Sequence, residues 1–209
     1  MNKINIISID VGYRNLATVL GEVCLETQKT RVIACDVKNV LGTLKRPKSV
    51  LHTANAVIDH VDHLVKKWGR HVDTAVVEQQ VRASGLNYGI AYGLFGYFKC
   101  NDTDFTFLPP KRKFELCSFS NHPNLKKRAV EEVMHICEMT NIDIENENSV
   151  DLSAVISTIK ALQKKDDAAD AILQLLTHGR QKCANSKNLL QFEASAGRSS
   201  ERACTQRQM

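Results

Sequence analysis

The segment Asn5-Ile6-Ile7-Ser8-Ile9-Asp10-Val11-Gly12 is apolar almost throughout and ends in a carboxylate followed by a glycine. A short isoleucine-rich run bounded this way has the pattern of a strand covered on both faces, and such strands sit at the centre of α/β sheets. Asp10 then lies at the end of a central strand, where a carboxylate is costly to desolvate unless a cation or a hydrogen-bond donor compensates it. A divalent ion would meet that need. A turn capped by the Asp10 side chain would meet it as well, and an isolated Asp-x-Gly does not separate the two.

Working outward, residues 16–23 form a second apolar run reached by so short a connection that it must pair antiparallel with the first. A third strand is expected at 31–37. Residues 73–78 repeat the opening pattern, an apolar run closed by Glu78, and a fifth strand at 104–108 is stopped by Pro109-Pro110. If the strands ending in Asp10 and Glu78 are parallel neighbours, both carboxylates stand at the carboxyl edge of the sheet, where ligands of open α/β sheets bind.

Helices are expected between these strands. From Val50 to Trp68, apolar residues recur at steps of three and four up to Gly69, while His52, Asp59, His60, Asp62 and His63 occupy the outer face, read as solvated surface rather than a metal site. Ser84 opens a helix in which Gly85, Gly89, Gly93 and Gly96 alternate with Tyr88, Tyr92, Phe95 and Tyr97. Such a stripe serves either close packing on the protein's own sheet or a subunit interface, and we carry forward residues 85–97 as the two-fold contact of a homodimer. Further helices are expected at 125–139, at 151–162 with Val155, Ile156, Ile159 and Leu162 inward, and at 164–176. The acids Asp166 and Asp167 suit the start of that last helix. Asp170 does not share this explanation, because it lies a turn further in among Ala and Leu. Asp167 and Asp170 are three apart and so share a face.

The 209 residues, 43% hydrophobic and 24% charged, suit one globular domain, expected at 1–182, followed by a disordered tail at 183–209 rich in Ser, Asn, Gln and Arg. No apolar stretch approaches a membrane span and no signal peptide is evident, so no membrane partner is expected. The seven cysteines include no Cys-x-x-Cys pair, which favours reduced thiols and an intracellular, reducing compartment over a disulfide framework or zinc site. The net charge of +5 is mild. Positive residues nevertheless cluster at Lys111-Arg112-Lys113 and Lys126-Lys127-Arg128, flanking one loop, as a phosphate-contacting platform would. Lys45-Arg46-Pro47-Lys48 reads as a polar loop able to brush a phosphate backbone, and 141–149 as an acidic connection.

Three motifs in order, Ser8-Ile9-Asp10-Val11-Gly12, Val76-Val77-Glu78-Gln79 and Asp167-Ala168-Ala169-Asp170-Ala171, make the chain resemble the RuvC-like Holliday junction resolvases of the ribonuclease H-like superfamily, most closely their poxvirus and large-DNA-virus branch. The resemblance spans roughly residues 3–178. It implies a mixed five-stranded sheet with the first three strands antiparallel and helices on both faces. It further implies a homodimer that nicks both strands of a branched DNA, and host cytoplasm as the location if the protein is poxvirus-like. By this resemblance Asp10, Glu78, Asp167 and Asp170 are the catalytic acids and the ligands of two Mg2+ ions, with Mn2+ as a substitute. Lys113 and Lys127 match, more loosely, lysines near the scissile strand, and Lys127 is carried forward with the catalytic set. Two other functions stay open at this point: a ribonuclease H-like enzyme acting on RNA, and an actin-like nucleotide-binding protein, whose first phosphate loop Ile9-Asp10-Val11-Gly12 also resembles. The second of these needs a further Gly-rich loop that is not visible in the chain.

Overall fold

The structure is a computed structural model, and it describes residues 2–12, 14–42, 49–115, 119–139 and 150–205, with side chains described as far as residue 188. The basic loop Lys45-Arg46-Pro47-Lys48 and the acidic connection 141–149 lie outside the described residues.

Strand β1 (Lys3–Asp10) runs through the middle of the sheet. On one side it pairs antiparallel with β2 (Leu16–Cys24), which pairs antiparallel with β3 (Thr30–Lys38). On its other side β4 (Thr74–Glu78) is parallel to β1, and β5 (Asp104–Leu108) is parallel to β4. The expected fold class holds with one addition. Val150 and Asp151 form β6 (Val150–Asp151) beside Thr30 and Arg31, so the sheet has six strands in the order β5-β4-β1-β2-β3-β6. Arg31 Nε lies 3.5 Å from Asp151 Oδ2 across this short pairing. The other oxygen of Asp151 accepts from the Ser153 amide at 2.9 Å, an Asx turn that ends the strand after two residues. This displaces the helix expected at 151–162: α4 covers only Ile156–Ala161, and Leu152, Val155 and Ile159 are buried while Ile156 and Leu162 are only half-buried.

Both faces of β1 are covered. Ile7 and Ile9 join Ala75 and Val77 beneath α1 (Val50–Trp68) and α2 (Gly85–Cys100). Ile6 and Val76 lie beneath α3 (Leu125–Met139) and α5 (Lys165–Thr205). Alternation along the strands therefore turns Ser8, Asp10 and Glu78 toward α5. Helix α5 comes close to the sheet because Gly21 of β2 has no side chain. A Cβ there would lie 2.8 Å from both terminal carbons of Leu175.

Helix α1 begins at Ser49, whose hydroxyl accepts from the His52 amide at 3.0 Å, and ends at Gly69 with φ of 63°, a left-handed position that glycine adopts without strain. Its outer histidines are only partly solvated surface. His52 and His63 are exposed, but His60 Nε2 lies 2.9 Å from Asp36 Oδ2.

Two expectations require correction. The glycine stripe of α2 packs within the chain. A Cβ at Gly89 would collide with Val50 Cγ1, and one at Gly93 would lie 3.4 Å from Ile58 Cδ1 and 3.5 Å from Ala54 Cβ. The stripe thus serves the approach of α1, and the residues turned away from it are Tyr92 and Phe95, both exposed, with open space above Gly85 and Gly96. The second correction concerns the chain end. α5 does not stop near residue 176 but continues to Thr205, and Cys183 on it is 1% exposed with Sγ 3.9 Å from the Cys24 carbonyl. No proline interrupts the segment, and at Gly179 a Cβ would already touch Val23, so α5 remains against β2 beyond the expected end. Among the described residues, no helix is long and apolar enough to cross a membrane.

The packing of α1 on α2 makes a prediction. Gly93→Leu forces a bulky side chain into the contact with Ala54 and Ile58, and we expect a loss of about 1–3 kcal/mol of stability in urea denaturation. An unchanged denaturation midpoint would return Gly93 to an outward-facing role.

Candidate active site

Ile9 and Val77 are the last paired residues of β1 and β4, and Asp10 and Glu78 each follow by one residue. Parallel strands in this register put the two carboxylates side by side at the carboxyl edge. Asp167, in the first turn of α5, and Asp170, one turn later, approach from above the same edge. The four acids feel one another. Burial pushes the Asp10 carboxyl well above the ordinary carboxylate range, and the charges of Glu78, Asp170 and Asp167 raise it further, against the opposing effect of Lys113. Burial likewise raises Asp170, with Lys113 offsetting part of the effect. Its Oδ1 atom is buried without a hydrogen-bond partner.

Lys113 is the cation among these acids. Its Nζ lies 2.9 Å from Glu78 Oε1 and 2.9 Å from Asp170 Oδ2, and its side chain is only 7% exposed. Burial works against the ammonium, but Asp170 and Glu78 outweigh it and hold Lys113 above the ordinary lysine range. The backbone that delivers it is short and fixed. After Pro109-Pro110 ends β5, a 3-10 turn spans Arg112–Phe114, with the Arg112 amide bonded to the Pro109 carbonyl at 2.9 Å. The Thr177 hydroxyl of α5 donates to the Lys113 carbonyl at 3.5 Å.

As they stand, no three acidic, histidine or cysteine side chains are arranged around a common metal position among the described residues. The Lys113 ammonium stands between Glu78 and Asp170. The donor set itself fits a hard divalent ion. It is made wholly of carboxylate oxygens, with Asp10 and Asp170 raised in proton affinity by burial and then by neighbouring acids, and with one Asp170 oxygen unpartnered.

The basic residues divide. Lys113 turns inward, and Lys126 pairs with Asp166 at 2.7 Å while also lining the cleft of about 230 Å³ that opens onto Glu78, Lys113 and Asp170. Lys111 and Arg112 are exposed at the rim, Arg112 Nε being 3.4 Å from Glu115. Arg128 stacks over the Phe114 ring at 5.5 Å, which gives it a packing role. Lys127 does not join the acids. Its side chain is exposed and lines a separate cleft of about 390 Å³ with Lys126, Lys164 and Lys165. The sequence pattern alone did not single out Lys164, whose Nζ is 3.2 Å from Asp167 Oδ2. Nor did it single out Gln174 and His178, which follow Asp170 at four-residue steps along α5. Both are buried and lack hydrogen-bond partners, and burial pushes the His178 imidazole down to about 4. The i, i+4 spacing from Asp170 was the available signal.

The acids also leave a pH signature. A carboxyl whose folded pKa lies above its unfolded value of 3.8 destabilises the fold as pH rises from that value through the raised one, because the folded state must give up a proton it holds more tightly. We expect Asp10→Asn to raise the melting temperature of chelator-treated protein at pH 7 and to leave it nearly unchanged near pH 4. A lower melting temperature at pH 7 would mean that the charge on Asp10 is fully compensated.

No family model matches the sequence, and no curated protein matches it. Solved structures do match in fold. A fowlpox virus resolvase in complex with substrate Holliday junction DNA superposes with a TM-score of 0.59 at 17% identity, over 85% of this chain and 98% of that one. RuvC of Thermus thermophilus superposes with a TM-score of 0.56 at 13% identity, over 88% and 97%. The strand order, the helices on both faces and the acids at the ends of β1, β4 and the start of α5 thus sit on one scaffold: the chain has the ribonuclease H-like fold of the RuvC-like Holliday junction resolvases.

Proposed function

We propose that the protein is a structure-selective endonuclease that resolves four-way DNA junctions by metal-dependent phosphodiester hydrolysis, in the processing of recombination or replication intermediates. The observation that carries this reading is the convergence of Asp10, Glu78, Asp167 and Asp170 from two strands and a helix onto one edge, beside Lys113. The structures of similar fold support it, since a fowlpox virus resolvase and T. thermophilus RuvC have each been crystallised with Holliday junction DNA.

In this reading the four acids hold divalent ions, Mg2+ or Mn2+ by the hardness of the donors. Bound ions of this kind supply an activated water and neutralise charge on the departing 3′ oxygen during in-line displacement. The chain's own residues do the rest. Lys113, buried between Glu78 and Asp170, balances part of their charge, and Lys111, Arg112 and Lys126 form a positive rim that attracts the backbone independently of sequence. Lys127, with Lys164 and Lys165, extends that rim across the start of α5. Paired nicks need two sites in a fixed relation, and we infer a homodimer. The exposed Tyr92 and Phe95 face of α2 is the surface we assign to it, in place of the glycine stripe.

The direct test is cleavage of a synthetic four-way junction with Mg2+, beside linear duplex and structured RNA. We expect symmetric nicks in the junction alone, and their loss, with binding retained, in Asp10→Asn and Asp170→Asn. Preferential cutting of the RNA would move the assignment to a ribonuclease. A separate prediction concerns Lys127. Its replacement by Ala should weaken junction binding and reduce the slope of log K against log salt by about one unit if it meets a phosphate. An unaltered slope would make it merely a solvated surface residue.

A further inference from the structure

Lys113 occupies the position that a metal ion would need. Its ammonium takes one oxygen from Glu78 of β4 and one from Asp170 of α5, each at 2.9 Å. A divalent ion held by the same two carboxylates requires those lone pairs, and a dication and an ammonium so close together repel. We propose that Lys113 is a tethered cation that competes with the divalent ion for Glu78 and Asp170 and leaves them as the ion enters. The proposal rests on the nuclease reading of the site.

The structure provides both the anchor and the exit for this movement. The anchor is the backbone, held by the 3-10 turn after Pro109-Pro110 and by the Thr177 hydroxyl on the Lys113 carbonyl. The side chain beyond it is a flexible four-carbon stem whose charge can swing while the backbone stays. The exit is the cleft of about 230 Å³ whose inner wall is Glu78, Lys113 and Asp170 and whose outer lining includes Lys111, Leu125 and Lys126. An ammonium that swings outward along that cleft trades close contact with the two carboxylates for the neighbourhood of Lys111 and Lys126, a cluster of positive charge that an arriving anion would balance. The phosphate of a nucleic-acid backbone is that anion. Metal entry therefore presents a positive charge to the substrate strand, and by reciprocity an engaged phosphate favours metal entry. Lys126 offers an internal control. It is equally charged and lines the same cleft, but its ion pair is with Asp166 at 2.7 Å and its side chain is 62% exposed, away from the bridge between the two acids.

The experiment titrates Mn2+ into the full-length chain without DNA, reading free ion by electron paramagnetic resonance, for the unsubstituted protein, Lys113→Met and Lys126→Met. We expect Lys113→Met to bind Mn2+ at least about fivefold more tightly, the lower end of coupling between linked sites. Lys126→Met, losing an exposed pair, should change affinity by no more than about threefold. Equal tightening in both variants, or none in Lys113→Met, overturns the exchange while leaving the metal site. Absence of Mn2+ binding in all three proteins overturns the nuclease reading with it. A second measurement needs no variant: acylation of lysines by an amine-reactive ester, read by mass spectrometry. Lys113 should react slowly without metal and faster when Ca2+ is added, whereas Lys126 should be indifferent. A Lys113 rate that is unchanged or slowed by Ca2+ rules the movement out.

Discussion

Carboxylates gathered at one partly buried edge repel one another and are costly to desolvate unless a cation stands among them. That constraint shapes this end of the molecule. Asp10 and Glu78 are carried there by parallel strands in register, and Asp167 and Asp170 by the first two turns of α5. Lys113 answers the excess negative charge from a turn of its own, between Glu78 and Asp170. A core lysine in that position is costly for packing alone. It is understandable as one half of an electrostatic balance whose other half is the acids.

Helix α5 is the member that keeps this balance in place. It reaches the sheet closely at Gly21, presents two of the four acids, and holds the carbonyl of Lys113 through Thr177. The same helix carries Gln174 and His178 inward below Asp170, with the imidazole kept neutral by burial. Polar groups buried without protein partners cost stability, so packing does not account for the presence of Gln174 and His178 on this face of α5. Contacts of Gly179 with Val23 and of Cys183 with the Cys24 carbonyl hold α5 on β2 far from the acids, so the acids ride on a helix anchored well beyond its first turns.

The opposite layer shows how one local pattern serves different ends. Glycines at three- and four-residue spacing permit close approach of any helix, whether from the same chain or from another. Here Gly89 and Gly93 admit α1, through Val50, Ala54 and Ile58. The aromatic residues between them are thereby turned outward, and Phe95 and Tyr92 pack on Phe105 and Phe107 of the edge strand with ring centroids 5.2–6.4 Å apart while remaining partly exposed.

Features that depend on local periodicity and chain direction were legible from residues alone. The both-sided apolar run at β1, the short antiparallel return to β2, the carboxylates closing β1 and β4, and the i, i+3 pair Asp167 and Asp170 each follow from spacing within a few residues. Together they indicate the sheet's mixed order and the acids at its edge. Charge clusters were legible as clusters, but their targets were not. Lys113 and Lys127 look alike in sequence, yet one is buried against Glu78 and Asp170 and the other is exposed, because the direction of a side chain on a turn depends on what the turn packs against. The partner of the glycine stripe, the two-residue sixth strand, and the burial of Cys183 are likewise contacts between segments far apart in the chain. No window of sequence contains both sides of such a contact, so only the tertiary structure decides them.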